Sequence, residues 1–242
     1  IWIGPRSETI ASLGDKLAAR RIAEEACVPL VPGTQEPVSL DKVQAAALEV
    51  GFPLLLKATG GGGGKGIRLV RRAEDLEANL ARAKGEAQSA FGTSEVYLER
   101  FVSPARHIEL QILGDGQGDA IHLGERECSL QRRQQKVVEE SPAPTLSPEL
   151  RARMGAAAVS LAKRVAYRGA GTVEFLVDES GAFFFLEVNA RLQVEHPVTE
   201  WCTGFDLVQA QFHVAEEGTL PFRQEDWKPR GHAIQLRVNA ED

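Results

Sequence analysis

Cysteine is scarce in this sequence. The three present, Cys27, Cys128 and Cys202, lie far apart and form no CxxC pair. That excludes a zinc ribbon and a disulfide framework, and it points to a reducing compartment, cytoplasmic or, in a eukaryote, the mitochondrial matrix. No apolar run approaches the roughly 20 residues that a helix needs to cross a bilayer, so no membrane span is expected. The opening Ile-Trp-Ile-Gly-Pro lacks the charged start of a secretory signal. Basic residues are not in surplus: the formal net charge is -6, which argues against a general nucleic-acid or anionic-membrane surface, because both need a positive field. There is no internal repeat. The sequence begins without Met, in mid-pattern, and stops at Ala-Glu-Asp, and it is read as a piece of a longer chain.

What is present is the composition of an ordinary globular protein, 43% apolar and 26% charged over 242 residues. Asp15 reads as the N-cap of an amphipathic helix over 16–26. A second helical pattern runs over 40–50. A short apolar strand follows at 53–58, then a strand at 66–70, a helix at 73–89 and a strand at 96–101. Beyond Ser103-Pro104 the texture changes. Alternating segments at 106–113 and 119–125 read as a hairpin, and Ser147-Pro148 opens a helix to about 166. A second hairpin pairs 171–177 with 182–188. A helix over 205–216 and a strand over 231–238 complete the pattern. Helices mixed with antiparallel hairpins imply an α+β fold rather than a doubly wound sheet.

Five consecutive glycines at 60–64 stand between the first two strands. Such a run is conformationally costly, of order 1 kcal/mol per residue relative to Ala in regular structure. It is either a flexible linker or backbone that must approach a ligand closely. A linker sits in polar surroundings, whereas strands flank this run. Lys57 and Lys65 add fixed positive charge beside exposed backbone N–H groups, a combination suited to polyphosphate. Gly61, Gly63 and Gly66 satisfy G-x-G-x-x-G, but a strand follows where the dinucleotide fingerprint needs a helix. A P-loop also fails, because Gly66 stands where Ser or Thr should follow Lys65. The remaining reading is a glycine flap between antiparallel strands, lying over phosphates.

From Glu187 to Glu195 every odd position is polar (Glu187, Asn189, Arg191, Gln193, Glu195) and every even one apolar. In an extended chain, period two puts the five polar groups on one side. A wet strand face is the plainer interpretation. Its composition of carboxylates, amides and an arginine fits a site better than a solvent face. Glu174 lies on the strand expected to pair with Glu187, and two facing carboxylates repel unless a cation lies between them. Carboxylate and amide oxygens are hard ligands suited to magnesium. The segment 125–136, dense in charge and amide, is either a solvated run or an anion-binding element. Lys16, at a helix start where the macrodipole favours anions, is an ordinary surface lysine or a phosphate contact. None of the five histidines shows metal-ligand spacing, and Cys128 is given no role.

The motifs Gly14-Asp15-Lys16, Leu56-Lys57-Ala58 with its glycine loop, Gln131-Arg132-Arg133-x-Gln135-Lys136-Val-Val-Glu-Glu, Gly169-Ala-Gly-Thr-Val-Glu174-Phe and Glu187-x-Asn189-x-Arg191-x-Gln193-Val194-Glu195-His-Pro together resemble biotin carboxylase, in order and along the whole chain. The run 191–197 is the most specific, since other ATP-grasp ligases share the metal carboxylates but not this continuation. The resemblance implies an ATP-grasp fold: a glycine-flap lid at about 29–101, a larger antiparallel-sheet domain at 102–242, and 1–28 as the tail of an absent N-terminal domain.

The implied reaction is ATP-dependent carboxylation of biotin by bicarbonate through carboxyphosphate. By matching motif, Lys16, Lys57, Gly63, Gly64 and His107 would contact ATP, with Gln131 and Gln134 beside them. Glu99, Arg100, Phe101 and Val102 would line the adenine edge. Glu174, Glu187 and Asn189 would hold magnesium or manganese, with two ions expected. Arg191, Gln193, the Val194 backbone and Lys136 would bind bicarbonate. Glu195 would be the general base, and Arg237 would stabilise an enolate-like biotin. The family often has His where this chain has Gln134, and Gln donates a hydrogen bond without carrying charge. No Met-Lys-Met carrier context is present, so biotin is expected on a separate carrier domain, with a carboxyltransferase elsewhere and a homodimer as the family's common state. Another ATP-grasp ligase and a nucleotide-binding module without catalysis are the alternatives.

Overall fold

The computed structural model describes residues 1–60 and 66–240. Among them are two antiparallel sheets, each with its own apolar core. The smaller has the order β2-β1-β3, from β1 (Leu54–Ala58), β2 (Ile67–Val70) and β3 (Val96–Arg100). Helices α3 (Val43–Val50) and α4 (Leu76–Phe91) cover it, and Val43, Leu54, Leu56, Leu76, Leu80 and Leu98 fill the space between. The strands expected to flank the glycine run are antiparallel neighbours, β1 and β2, consecutive in the chain on either side of it. Gly63 and Gly64 themselves lie outside the described residues.

The larger sheet has the order β8-β7-β4-β5-β6-β9. Its strands are β4 (Ala105–Asp115), β5 (Ala120–Arg132), β6 (Gln135–Ser141), β7 (Arg168–Asp178), β8 (Phe183–Asn189) and β9 (Ala233–Leu236). Strand periodicity divides its two faces. On β4, Ile108, Leu110 and Ile112 enter one apolar core with Val173, Phe175 and Val177 of β7. That core is closed by α5 (Pro148–Arg164), through Met154, Ala158 and Leu161, and by Ala19 and Ala23 of α2 (Lys16–Glu25). The intervening residues, Glu109 and Gln111 on β4 and Thr172 and Glu174 on β7, belong to the opposite face, where they too are buried. A sheet face built of buried polar groups forms the floor of the site.

Caps follow the sequence. The Asp15 carboxylate accepts from the Ala18 N–H at 2.7 Å, and the Ser147 hydroxyl accepts from the Leu150 N–H at 3.2 Å with Pro148 opening α5. Two helices are additions to the sequence reading. Helix α1 (Ser7–Gly14) starts after Arg6, which supplies no side-chain cap, so the usual signal is missing. Helix α6 (His196–Thr203) begins where the polar stripe read as extended, and Pro197 in its first turn favours that start. Helix α7 (Leu207–Glu217) is capped by Asp206 and packs Leu207, Ala210 and Val214 on β7 and its neighbours. No helix among the described residues is long and apolar enough to cross a membrane.

Close packing explains Gly171 of the Gly169-Ala-Gly171 motif and Gly114 on β4. A Cβ on Gly171 would lie 2.3 Å from the Tyr167 hydroxyl oxygen, and one on Gly114 would lie 2.1 Å from the Tyr167 carbonyl oxygen. Tyr167 is buried, and its hydroxyl donates to Ala170 O, so the ring has nowhere to retreat. Gly171→Ala is therefore expected to destabilise the full-length protein by about 1–3 kcal/mol through overpacking. A urea titration would show it, and an unchanged midpoint would mean that the ring relocates freely.

Candidate active site

An open cleft of ≈ 830 Å³ runs between the two sheets, over the polar face of the larger one. Every site residue expected from sequence lines it, except Gly63 and Gly64, which are not described. Strand pairing brings the carboxylates together as expected: Glu174 on β7 is opposite Glu187 on β8.

At the centre is Lys136. Its ammonium donates to Glu109, to Glu174 Oε1 at 2.7 Å and to Glu195 Oε1 at 2.8 Å. Burial alone would lower its pKa, but the carboxylates around it, Glu109 and Glu174 first, hold it above the ordinary lysine range. Glu174 is buried as well. Its carboxyl nonetheless stays below the usual range, because His107 Nε2 lies 2.6 Å from Oε2 and Lys136 holds Oε1. Burial likewise opposes the charge on His107, and its contact with Glu174 outweighs that and raises its pKa. His107, Glu109 and Glu174 converge closely enough to resemble a metal-ligand set. The place between Glu109 and Glu174 is already taken by the Lys136 ammonium.

Glu195 is 2% exposed and clamped at both oxygens, by Lys136 at Oε1 and by Arg237 Nη2 at Oε2, 2.8 Å away. Burial pushes its carboxyl up, and the Lys136 ammonium then draws it below the ordinary range, leaving an ionised acceptor. Arg237 is itself held by Glu139 Oε1 at 2.6 Å. Here the stripe expected over 187–195 fails as an extended strand. Strand β8 ends at Asn189, and the next residues turn into α6. The burial inverts with it: Gln193 and Glu195 are 5% and 2% exposed, while apolar Val194 is 64% exposed. The turn, not strand alternation, delivers Glu195 to Lys136. The solvated interpretation of 125–136 fails for its first part, since Glu125, Arg126, Glu127 and Cys128 are buried on β5 between two neighbouring strands. From Leu130 to Gln135 the segment is exposed, around a tip where Arg133 and Gln134 adopt positive φ of 52° and 64° in the two-residue turn.

Glu187 differs from its neighbour. No ion pair or hydrogen bond is recorded for its carboxylate among the described residues, and burial together with nearby Glu174 raises its pKa. Two close carboxylates, Glu174 buried and Glu187 half-buried without an ion pair, with the Asn189 amide donating to Glu174 at 2.7 Å, form a hard-oxygen set that fits a divalent cation. Arg191 lies beside it, with Nη2 donating to Asn189 Oδ1 at 3.3 Å.

The smaller sheet contributes Lys57 of β1, whose ammonium donates to Glu99 Oε1 at 2.5 Å; Arg20 of α2 donates to Glu99 Oε2 at 2.9 Å. Burial opposes the charge on Lys57, but Glu99 outweighs it and raises the pKa. The Glu99 side chain is thus an anchor for Lys57, whereas sequence placed it at an adenine edge. Arg100, Phe101 and Val102 continue along the same wall. Lys16 reaches the cleft from the first turn of α2, its ammonium donating to Ala58 O at 3.3 Å, with its pKa lowered by burial and then by Lys57. Gln131 Nε2 lies 2.8 Å from His107 Nδ1, and both side chains line the cleft. Arg20, Glu109 and Arg126 were missed by sequence reading, and charge at periodic buried positions was the only available signal.

Residues 15–223 match the family model for the carbamoyl-phosphate synthase L chain, ATP binding domain. The chain belongs to this family. Within it, a chloroplastic biotin carboxylase of Populus trichocarpa is 50% identical over the whole chain, which spans 46% of that relative. Human mitochondrial pyruvate carboxylase is 53% identical over the whole chain, which spans 21% of it. The solved biotin carboxylase domain dimer of Hydrogenobacter thermophilus 2-oxoglutarate carboxylase, in complex with MgADP, ADP and bicarbonate, superposes with a TM-score of 0.95 at 46% identity, over 99% of this chain and 53% of that one. The fold is therefore the ATP-grasp fold of those domains, in its α+β form. The chain spans about half the length of the biotin carboxylases it matches.

Proposed function

We propose that this chain forms the catalytic core of a biotin carboxylase, which carboxylates biotin on a carrier domain using ATP and bicarbonate. The observation that carries this reading is the double clamp on Glu195, a buried carboxylate held ionised between Lys136 and Arg237 beside the Glu174–Glu187 pair. An ATP-grasp ligase of another class needs the metal carboxylates but not a base set between two cations. The relatives named biotin carboxylase and pyruvate carboxylase support the same choice.

In this reading, residues 29–101 act as the lid and 102–242 as the main domain. Lys16, Lys57 and His107 meet the phosphates, and the wall from Glu99 to Val102 borders the base. Glu174, Glu187 and Asn189 would hold magnesium or manganese, which neutralises polyphosphate charge and orients it. Lys136, Arg191 and Gln193 bind bicarbonate, and the Glu195 carboxylate takes its proton. The guanidinium of Arg237 has five N–H groups, and its bonds to Glu139 and Glu195 leave others for a developing oxyanion on biotin. Carrier, carboxyltransferase and a second copy of the chain are the partners proposed.

The test uses the full-length protein with free biotin. ATP cleavage is expected to require biotin and to be stimulated by bicarbonate. Cleavage indifferent to both would assign the chain to another ATP-grasp chemistry, and no cleavage with retained ATP binding would make it a binding module.

A further inference from the structure

Arg126, in the middle of β5, is 0% exposed and spends every N–H on a side chain. Its Nε donates to Glu109 Oε1 at 2.5 Å. Its Nη1 donates to Gln111 Oε1 at 2.7 Å and to Thr199 Oγ1 at 2.9 Å. Its Nη2 donates to Thr172 Oγ1 at 3.0 Å and to Gln193 Oε1 at 3.3 Å. These partners come from β4, β7, the turn after β8, and α6, so one guanidinium ties together four segments at the anion end of the cleft.

A guanidinium has donors only, whereas an amide has one accepting and one donating side. Facing Arg126 therefore obliges Gln193 to turn its oxygen toward the sheet and its NH₂ group toward the cleft. There Gln193 Nε2 reaches Glu174 Oε1 at 3.3 Å. Gln111 obeys the same constraint, its Oε1 on Arg126 and its Nε2 on the carbonyls of Gly171 and Ile112. Through Glu109, Arg126 also fixes the carboxylate that seats Lys136. The reverse orientation of Gln193 would set donor against donor at Arg126 and offer a carbonyl oxygen to an anion.

We propose that Arg126 is a positioning residue for anion recognition: it locks the Gln193 amide with its donors toward bicarbonate. This rests on the reading that Gln193 contacts bicarbonate. The test is a double-substitution cycle in the full-length enzyme, reading KM for bicarbonate and for ATP in biotin-dependent ATP cleavage. Gln193→Leu is expected to raise the bicarbonate KM about 10- to 100-fold, the scale of one hydrogen bond to a charged group. Arg126→Lys keeps the charge and loses the fork; it should raise the same KM by a similar factor with the ATP KM unchanged. In the Gln193→Leu background it should add little.

Equal rises in both KM values, or effects that multiply in the double variant, overturn the proposal. If Gln193→Leu alone leaves the bicarbonate KM unchanged, the role assigned to Gln193 fails first and the proposal falls with it. Should Arg126→Lys not fold, Gln193→Glu decides. One carboxylate oxygen keeps its place on Arg126 while the other replaces the amide donors beside Glu174, so repulsion lowers thermal stability and the bicarbonate KM rises at least as far as in Gln193→Leu. An unchanged bicarbonate KM in Gln193→Glu would show that no amide donor had faced the anion, and overturns the proposal.

Discussion

Glu195→Gln is expected to reduce biotin carboxylation in the full-length protein by roughly 10²–10⁴-fold, the range of a lost general base. The substitution keeps the shape of the side chain and removes its charge. Lys136 and Arg237 now donate to the two carboxylate oxygens. A neutral amide can accept at one of these positions only, and at the other its NH₂ meets a cation. The variant thus loses the proton acceptor and loosens Arg237 in the same stroke. ATP binding, measured by calorimetry, should hardly change, because Lys57 and Lys16 sit on β1 and α2, away from the clamp. Wild-type turnover in this variant would remove Glu195 from the mechanism altogether.

Lys136→Met should be nearly as damaging to activity and far more damaging to stability. Three carboxylates, Glu109, Glu174 and Glu195, share this one ammonium. Removing one partner of a buried ionic cluster costs about 3–5 kcal/mol, since the remaining charges stay desolvated and unpaired. Arg126, His107 and Arg237 still hold one oxygen each, so the fold survives with a lowered denaturation midpoint.

The pH dependence gives a sharper signature. In the native chain the Glu174 carboxyl lies below its ordinary value of 4.5, so its contribution to stability is present above that value and lost as pH falls through the lowered native pKa. Without Lys136, burial and mutual repulsion raise the carboxyl pKa values instead, and the group shares a proton. A raised carboxyl pKa makes the folded state less stable as pH climbs past the unfolded value. Glu187 is raised in both proteins, so the variant should lose more stability than the parent between mildly acidic and neutral pH. A parallel shift of both stability curves would contradict this account.

Much of the architecture was legible because period-two and period-3.6 patterns report on apolar burial. The caps at Asp15 and Ser147, the Glu174–Glu187 pairing and the antiparallel β1–β2 connection all follow from local rules. The failures share one cause. Alternation of apolar and polar residues signals a buried and a wet side only where water covers the polar one. On β5 both sides are buried, and on the turn before α6 the order inverts, polar Gln193 and Glu195 inside and Val194 outside, so Arg126 reads as solvated charge and the stripe from Glu187 reads as one strand. Which carboxylate receives which cation depends on contacts between residues far apart in sequence, such as Lys136 with Glu195 or Arg20 with Glu99. Spacing alone carries no trace of those pairs. The anchoring role of Glu99 was hidden for that reason, although its position beside the cleft was not.

Helix α2 has one side against β8 and α5 and the other against the smaller sheet, where Lys16 and Arg20, one turn apart, meet Ala58 and Glu99. In mechanical terms this is a fulcrum. A rotation of the smaller sheet that spares the buried Arg20–Glu99 bond must turn about that point. Lys57, bonded to the same carboxylate, lies next to the axis and travels little. Strand β2, at the far edge of the sheet order, has the longest arm and sweeps the widest arc. Small angular changes would then open or close the outer edge of the cleft while Lys57 keeps its place.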